Sequence, residues 1–139
     1  MSALSTHPSG PRVDAVLAAV RSRLVRVTPE QAAHAVTYER ALLVDTRPAE
    51  DRAQYGTIPG ALVVDRNVLE WRLDPTSPHR LEQADDPRRT VIVFCNEGYA
   101  SSLAAASLRE LGLVNATDLV GGFHAWAAAG LPVAGAPAA

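Results

Sequence analysis

The chain of 139 residues is 47% apolar and 20% charged with a net charge of -2, the size and balance of one globular domain that can bury a core. All 13 basic residues are arginine, which excludes Schiff-base chemistry, pyridoxal phosphate attachment and a lysine-dependent phosphate loop. The single cysteine, Cys95, excludes an internal disulfide, a two-cysteine relay within the chain and a multi-cysteine structural zinc site.

Residues 1–11, with two prolines, a glycine and three serines, read as a flexible leader. They show neither the basic start nor the apolar stretch of a secretion signal. Val13, Val16, Leu17, Val20 and Leu24 recur at helical spacing and predict an amphipathic helix over residues 12–25. Arg21, Arg23 and Arg26 cluster along that helix and its end, where they read as a solvated face beside the helix C-terminal dipole. Thr28-Pro29-Glu30-Gln31 then supplies a cap, a first-turn proline and a glutamine three residues after the cap, the start of a short helix to about Val36.

Short apolar runs follow. Residues 41–44, 61–64, 90–94 and 117–120 read as buried strands, separated by helical segments at roughly 48–55, 66–73, 101–111 and 123–129. Strand alternating with helix predicts an α/β domain, a central parallel sheet with helices on both faces. Residues 74–89 carry three prolines and many charges and read as one long loop, and residues 134–139 as a frayed tail. The longest strongly apolar run, Val91 to Cys95, is far too short to cross a bilayer. No membrane partner is expected, and the near-neutral charge gives no reason to expect nucleic acid. A cytoplasmic protein with a free thiol is the expectation.

The chemistry concentrates after the third strand, in Cys95-Asn96-Glu97-Gly98-Tyr99-Ala100-Ser101. A cysteine at the carboxyl end of a buried parallel strand opens into the crevice where α/β proteins place ligands. Gly98 lets the loop turn tightly enough for successive N–H groups to converge, and the helix behind adds its positive end. That field favours an anion beside Cys95 and the thiolate form of its sulfur. Glu97 opposes it: a carboxylate in the loop repels an incoming anion unless it points to solvent, and no arginine lies in the loop to offset it. His7, His34, His79 and His124 are scattered, with no pair at metal-ligand spacing, so no metal is expected. His124 is the one histidine placed to form a dyad with Cys95, the alternative being a surface position on a short helix.

Three blocks in order resemble the rhodanese (sulfurtransferase) family. Asp45-Thr46-Arg47-Pro48-Ala49-Glu50 running on to Gly56-Thr57-Ile58-Pro59-Gly60-Ala61 is similar to D-x-R-x-x-x-E, with Glu50 one position early, followed by G-H-I-P-G-A. The cysteine loop is similar to C-x-x-G-x-R-S, and Gly121-Gly122-Phe123-His124-Ala125-Trp126 with Gly130-Leu131-Pro132-Val133 to G-G-W-x-x-W followed by G-x-P-V. The resemblance covers about residues 41–133, a rhodanese-like domain, and leaves outside it the leader (1–11), an N-terminal helical segment (12–40) and a tail (134–139). Thr57 stands where histidine is common, and Ala100 replaces the frequent arginine before Ser101.

The resemblance implies a two-step sulfur transfer with no metal or organic cofactor. Cys95 would take a sulfane sulfur from a donor such as thiosulfate, become a persulfide, and pass it to cyanide or a thiol, a protein thiol included. The N–H groups of Gly98, Tyr99, Ala100 and Ser101 would hold the negative charge. Asn96 and Glu97 complete the loop, and Arg47, Arg66 or Arg72 from neighbouring segments are candidates to supply a positive charge. Two other readings stand beside this one. A cysteine phosphatase or arsenate reductase needs C-x5-R, and its arginine position is Ser101 here. A non-catalytic rhodanese-like binding or sulfur-sensing module would keep the fold without the transfer.

Overall fold

In a computed structural model the described residues are 10–135, so most of the leader and residues 136–139 of the tail lie outside them. The chain alternates helix and strand: α1 (Arg12–Arg21), α2 (Pro29–Tyr38), β1 (Leu42–Asp45), α3 (Ala49–Tyr55) and β2 (Leu62–Val63). A 3-10 turn (Arg66–Val68) leads into α4 (Leu69–Leu73), followed by β3 (Val91–Phe94), α5 (Ala100–Glu110), β4 (Ala116–Asp118) and α6 (Gly122–Ala128). The four strands form one parallel sheet in the order β2-β1-β3-β4, with Asp45 opposite Phe94 and Val93 opposite Asp118.

Alternate side chains of each strand point to opposite faces, and both faces are covered. On one face Leu42, Val44, Val91 and Val93 pack with Leu69 and Leu73 of α4 and Ala104 and Leu108 of α5. On the other, Leu43, Ile92 and Phe94 pack with Ala32 and Ala35 of α2 and with Phe123 and Trp126 of α6. This is the expected α/β architecture. Burying a side chain such as Ile92 or Phe94 contributes about 1.5–3 kcal/mol, and both are 0% exposed. Helix α1 forms an outer layer, its Val20 packed with Leu24 against Ala105 of α5.

The start of α2 follows its sequence: Thr28 Oγ1 accepts the Gln31 N–H at 3.2 Å and Gln31 Oε1 accepts the Thr28 N–H at 2.9 Å. The end of α1 departs from the spacing. The helix stops at Arg21 instead of Val25, because Val27 pairs in extended form beside β4. Its N–H donates to Asp118 at 3.1 Å and its carbonyl accepts the Val120 N–H at 2.8 Å. The long loop after α4 is anchored where Leu81 and Ala84 turn into the core. No helix of the described residues is long and apolar enough to cross a membrane.

From β1 the chain moves outward to β2, then returns past β1 to β3. The loops after β1 and β3 therefore leave in different directions, and a crevice opens between their carboxyl ends. Asp45–Arg47 and Cys95–Tyr99 occupy its two sides.

Candidate active site

Cys95 follows the last residue of β3 and is half-buried, and the loop after it brings the Gly98 N–H to 3.2 Å from its sulfur. The return needs the positive φ of Gly98, +86°. The same residue runs close to the next loop, since a Cβ there would stand 2.8 Å from the Gly121 nitrogen. Helix α5 begins directly behind. Its cap residue, Tyr99, makes no side-chain capping bond, and the first N–H groups of a helix have no partner within it.

The carbonyls of this loop are held by groups outside it. The Phe123 N–H donates to the Cys95 carbonyl at 2.8 Å and the His124 N–H to the Asn96 carbonyl at 3.0 Å. Gly122 allows that approach, since a Cβ would strike both carbonyl groups. The Gly98 carbonyl accepts from Arg21 Nη2 at 2.6 Å and from Arg26 Nη2 at 3.0 Å. In a trans peptide the N–H points opposite to the carbonyl before it. Tying these three carbonyls outward therefore turns the N–H groups of Asn96, Glu97 and Tyr99 the other way.

Arg47 closes the β1 side. It is buried and donates to Asp45 Oδ1 and Oδ2 at 3.0 and 2.9 Å, to the Gly56 carbonyl at 2.8 Å and to Asn96 Oδ1 at 3.2 Å. Its guanidinium also lies 4.2 Å from the centre of the Phe123 ring, a favourable cation–π contact. Every nitrogen of this guanidinium is engaged by protein, so its effect on the loop passes through Asn96.

Glu97 is exposed, the orientation that leaves an anion path open beside Cys95. Arg66 pairs with Glu70 and Arg72 donates to the His79 carbonyl, and among the described residues neither makes a hydrogen bond to the cysteine loop. His124 is exposed, its ring edge-on to Tyr55 at 4.7 Å. The hydrogen bonds of the described residues include none between that ring and Cys95; it is the backbone of His124 that meets the loop, its N–H donating to the Asn96 carbonyl. Ala100 is exposed, and Ser101 is fully buried with its hydroxyl turned away to Asp118.

Asp118 is the residue that sequence reasoning overlooked. It is 0% exposed at the end of β4 and accepts the hydroxyls of Ser101 and Ser102 at 2.8 and 2.7 Å. Arg26 closes on it with two bonds of 2.8 and 3.2 Å. A carboxylate inside a segment read as a buried strand was the available signal, because a buried charge requires a partner. Arg26 stands 92 residues away, beyond any local pattern. Arg21 and Arg26 are thus partly buried behind the cysteine loop, where the sequence suggested a solvated face; Arg23 is exposed.

Comparison with known proteins agrees with this geometry. Residues 28–129 match the rhodanese-like domain family. A thiosulfate sulfurtransferase GlpE of Actinobacillus succinogenes is 36% identical over 77% of this chain and 87% of that protein. A sulfurtransferase of Allochromatium vinosum is 34% identical over 68% of this chain and 79% of its own. A solved Rhodopseudomonas palustris protein, described as a possible tyrosine phosphatase, superposes with a TM-score of 0.78 at 28% identity, over 91% of this chain and 98% of that one. A cysteine loop between β3 and α5, backed by the glycine pair at the start of α6 and matched to the family over most of the chain, places this protein in the rhodanese-like family.

Proposed function

We propose that Cys95 carries sulfur between a sulfane donor and a thiophilic acceptor. The protein is a rhodanese-type sulfurtransferase, as its similarity to the thiosulfate sulfurtransferase and sulfurtransferase relatives supports. The observation that carries the residue assignment is the Gly98 N–H at 3.2 Å from the Cys95 sulfur, at the start of an uncapped helix.

In the first step the Cys95 thiolate attacks the outer sulfur of thiosulfate. A Cys–S bond to that sulfur forms, the sulfur–sulfur bond of thiosulfate breaks, and sulfite leaves with the electron pair. The product is a persulfide whose terminal sulfur bears the negative charge. The N–H groups of Gly98, Tyr99, Ala100 and Ser101, with the α5 dipole, stabilise that charge where it develops. In the second step cyanide or a thiolate attacks the terminal sulfur, the Cys95 S–S bond breaks, and thiocyanate or a new persulfide leaves while the thiolate is regenerated. A protein thiol fits the acceptor role as a small one does, and a compartment that keeps thiols reduced, such as the cytoplasm, suits chemistry that depends on a free Cys95.

The phosphatase reading fails on one residue. The position that needs an arginine to clamp the oxygens of a phosphoryl group is Ser101, whose hydroxyl is given to Asp118. The test is turnover with thiosulfate and cyanide, read as thiocyanate formed. Turnover that disappears in Cys95→Ser supports the proposal. Absence of thiocyanate, or Cys95-dependent hydrolysis of an aryl phosphate, overturns it.

A further inference from the structure

We propose that Arg21, acting with Arg26, is a positioning residue of the cysteine loop, holding the Gly98 carbonyl outward and supplying from α1 the positive charge that the loop lacks at Ala100. Both arginines precede the span matched to the family, which begins at residue 28. The proposal rests on Cys95 being the reacting sulfur.

The geometry is specific to one peptide. The Gly98 carbonyl belongs to the peptide whose N–H is that of Tyr99, the cap of α5. Two guanidinium donors on that carbonyl, at 2.6 and 3.0 Å, fix the peptide plane and set the Tyr99 N–H in the opposite direction. Rotation of the same plane would bring a carbonyl oxygen to the side where an anion needs an N–H. Gly98, with φ at +86°, offers little resistance of its own to such a rotation. The arginines therefore provide the restraint that the glycine lacks. Charged donors on the carbonyl also polarise the peptide and strengthen its N–H as a donor.

The two arginines differ in charge balance. Arg26 is neutralised by the buried Asp118. Arg21 has no carboxylate partner among the described residues: it donates to Gly98 and, at 3.1 Å, to Ser102 Oγ, and its guanidinium lies 5.5 Å from the centre of the Tyr99 ring. It is thus an unneutralised cation against the back of the loop. Its interaction with a developing negative charge at Cys95 passes through a partly buried, weakly screened path.

The test uses Arg21→Gln, Arg21→Lys and Arg23→Gln, with Cys95→Ser as the reference. Arg26 is left in place, because removing it strands the buried Asp118 carboxylate. Two rates are read at neutral pH: single-turnover sulfur loading from thiosulfate by intact mass, and alkylation of Cys95 by iodoacetamide, which needs no sulfur donor. Arg21→Gln is expected to slow both about tenfold, inside the hundredfold range that small misplacements of a reacting group produce. Arg21→Lys recovers part of the loss, and exposed Arg23→Gln behaves as wild type. The inference is overturned if Arg21→Gln reacts at the wild-type rate, or slows only in proportion to the folded protein lost in a thermal melt. Failure of the wild type to load sulfur overturns the proposed function instead, and the alkylation rates still decide the role of Arg21.

Discussion

Asp45 and Arg47 close a two-pronged ion pair of 3.0 and 2.9 Å at the end of β1, each side chain 1% exposed. The same guanidinium bonds Gly56 and Asn96, so one buried pair ties the β1 loop to the end of α3 and to the cysteine loop. Breaking such a pair leaves an uncompensated charge in the interior, at a cost of about 3–5 kcal/mol. Asp45→Ala and Arg47→Met are each expected to lose stability on that scale in urea titrations. The double variant is expected to lose clearly less than the two losses added, as for residues in direct contact. Simple additivity would contradict the coupling.

Gly122 and Gly130 separate two costs of a glycine replacement. Both have positive φ, +63° and +78°, but a Cβ on Gly130 meets nothing within 4 Å while one on Gly122 strikes the Cys95 and Asn96 carbonyl groups. Gly130→Ala is expected to cost only the left-handed backbone strain, about 1–2 kcal/mol, with sulfur transfer intact. Gly122→Ala adds a displaced cysteine loop and is expected to abolish most of the transfer. Equal activities in the two folded variants would contradict the close approach seen here.

Much of this arrangement was legible in the residues. The alternation of apolar runs with helical segments indicated the parallel sheet, and Thr28 with Gln31 marked the start of α2, because both depend on local pattern and hydrogen bonding. Cys95, Gly98 and the helix start were readable as a unit for the same reason. The end of α1 was not, since pairing of Val27 beside β4 overrides helical spacing. Nor was the place of Arg21 and Arg26, whose contacts with Gly98 span 77 and 72 residues. A cluster of arginines at a helix end carries no local sign of what the fold will bring against it.

Glu97 is expected to tune donor preference without taking part in the chemistry. It is exposed, so its repulsion of a dianionic donor acts largely through water, where such effects are of order 1 kcal/mol and fall with salt. Glu97→Gln should raise kcat/KM for thiosulfate about threefold at low ionic strength, the gain fading as salt is added. A gain that is independent of salt, or a loss of activity, would contradict an electrostatic role.

Glu70 gives the fold a defined acid sensitivity. Burial pushes its carboxyl up, but the Ser107 hydroxyl, the local backbone and Arg66 together hold it below its ordinary value of 4.5. A carboxyl lowered in the folded state stabilises the fold above its unfolded value and loses that contribution as pH falls through the folded value. The stability difference between wild type and Glu70→Gln should therefore shrink as the pH drops below 4.5. A difference that is the same at neutral and strongly acidic pH would show that ionisation of Glu70 does not contribute.

The most direct measurement of the account is the mass of the intact protein after brief exposure to thiosulfate and removal of the donor. One added sulfur on the wild-type chain, located on Cys95, absent in Cys95→Ser and discharged by cyanide, is the predicted result. An unchanged mass in the folded wild-type protein, or sulfur that persists in Cys95→Ser, would contradict the claim that Cys95 carries the transferred sulfur.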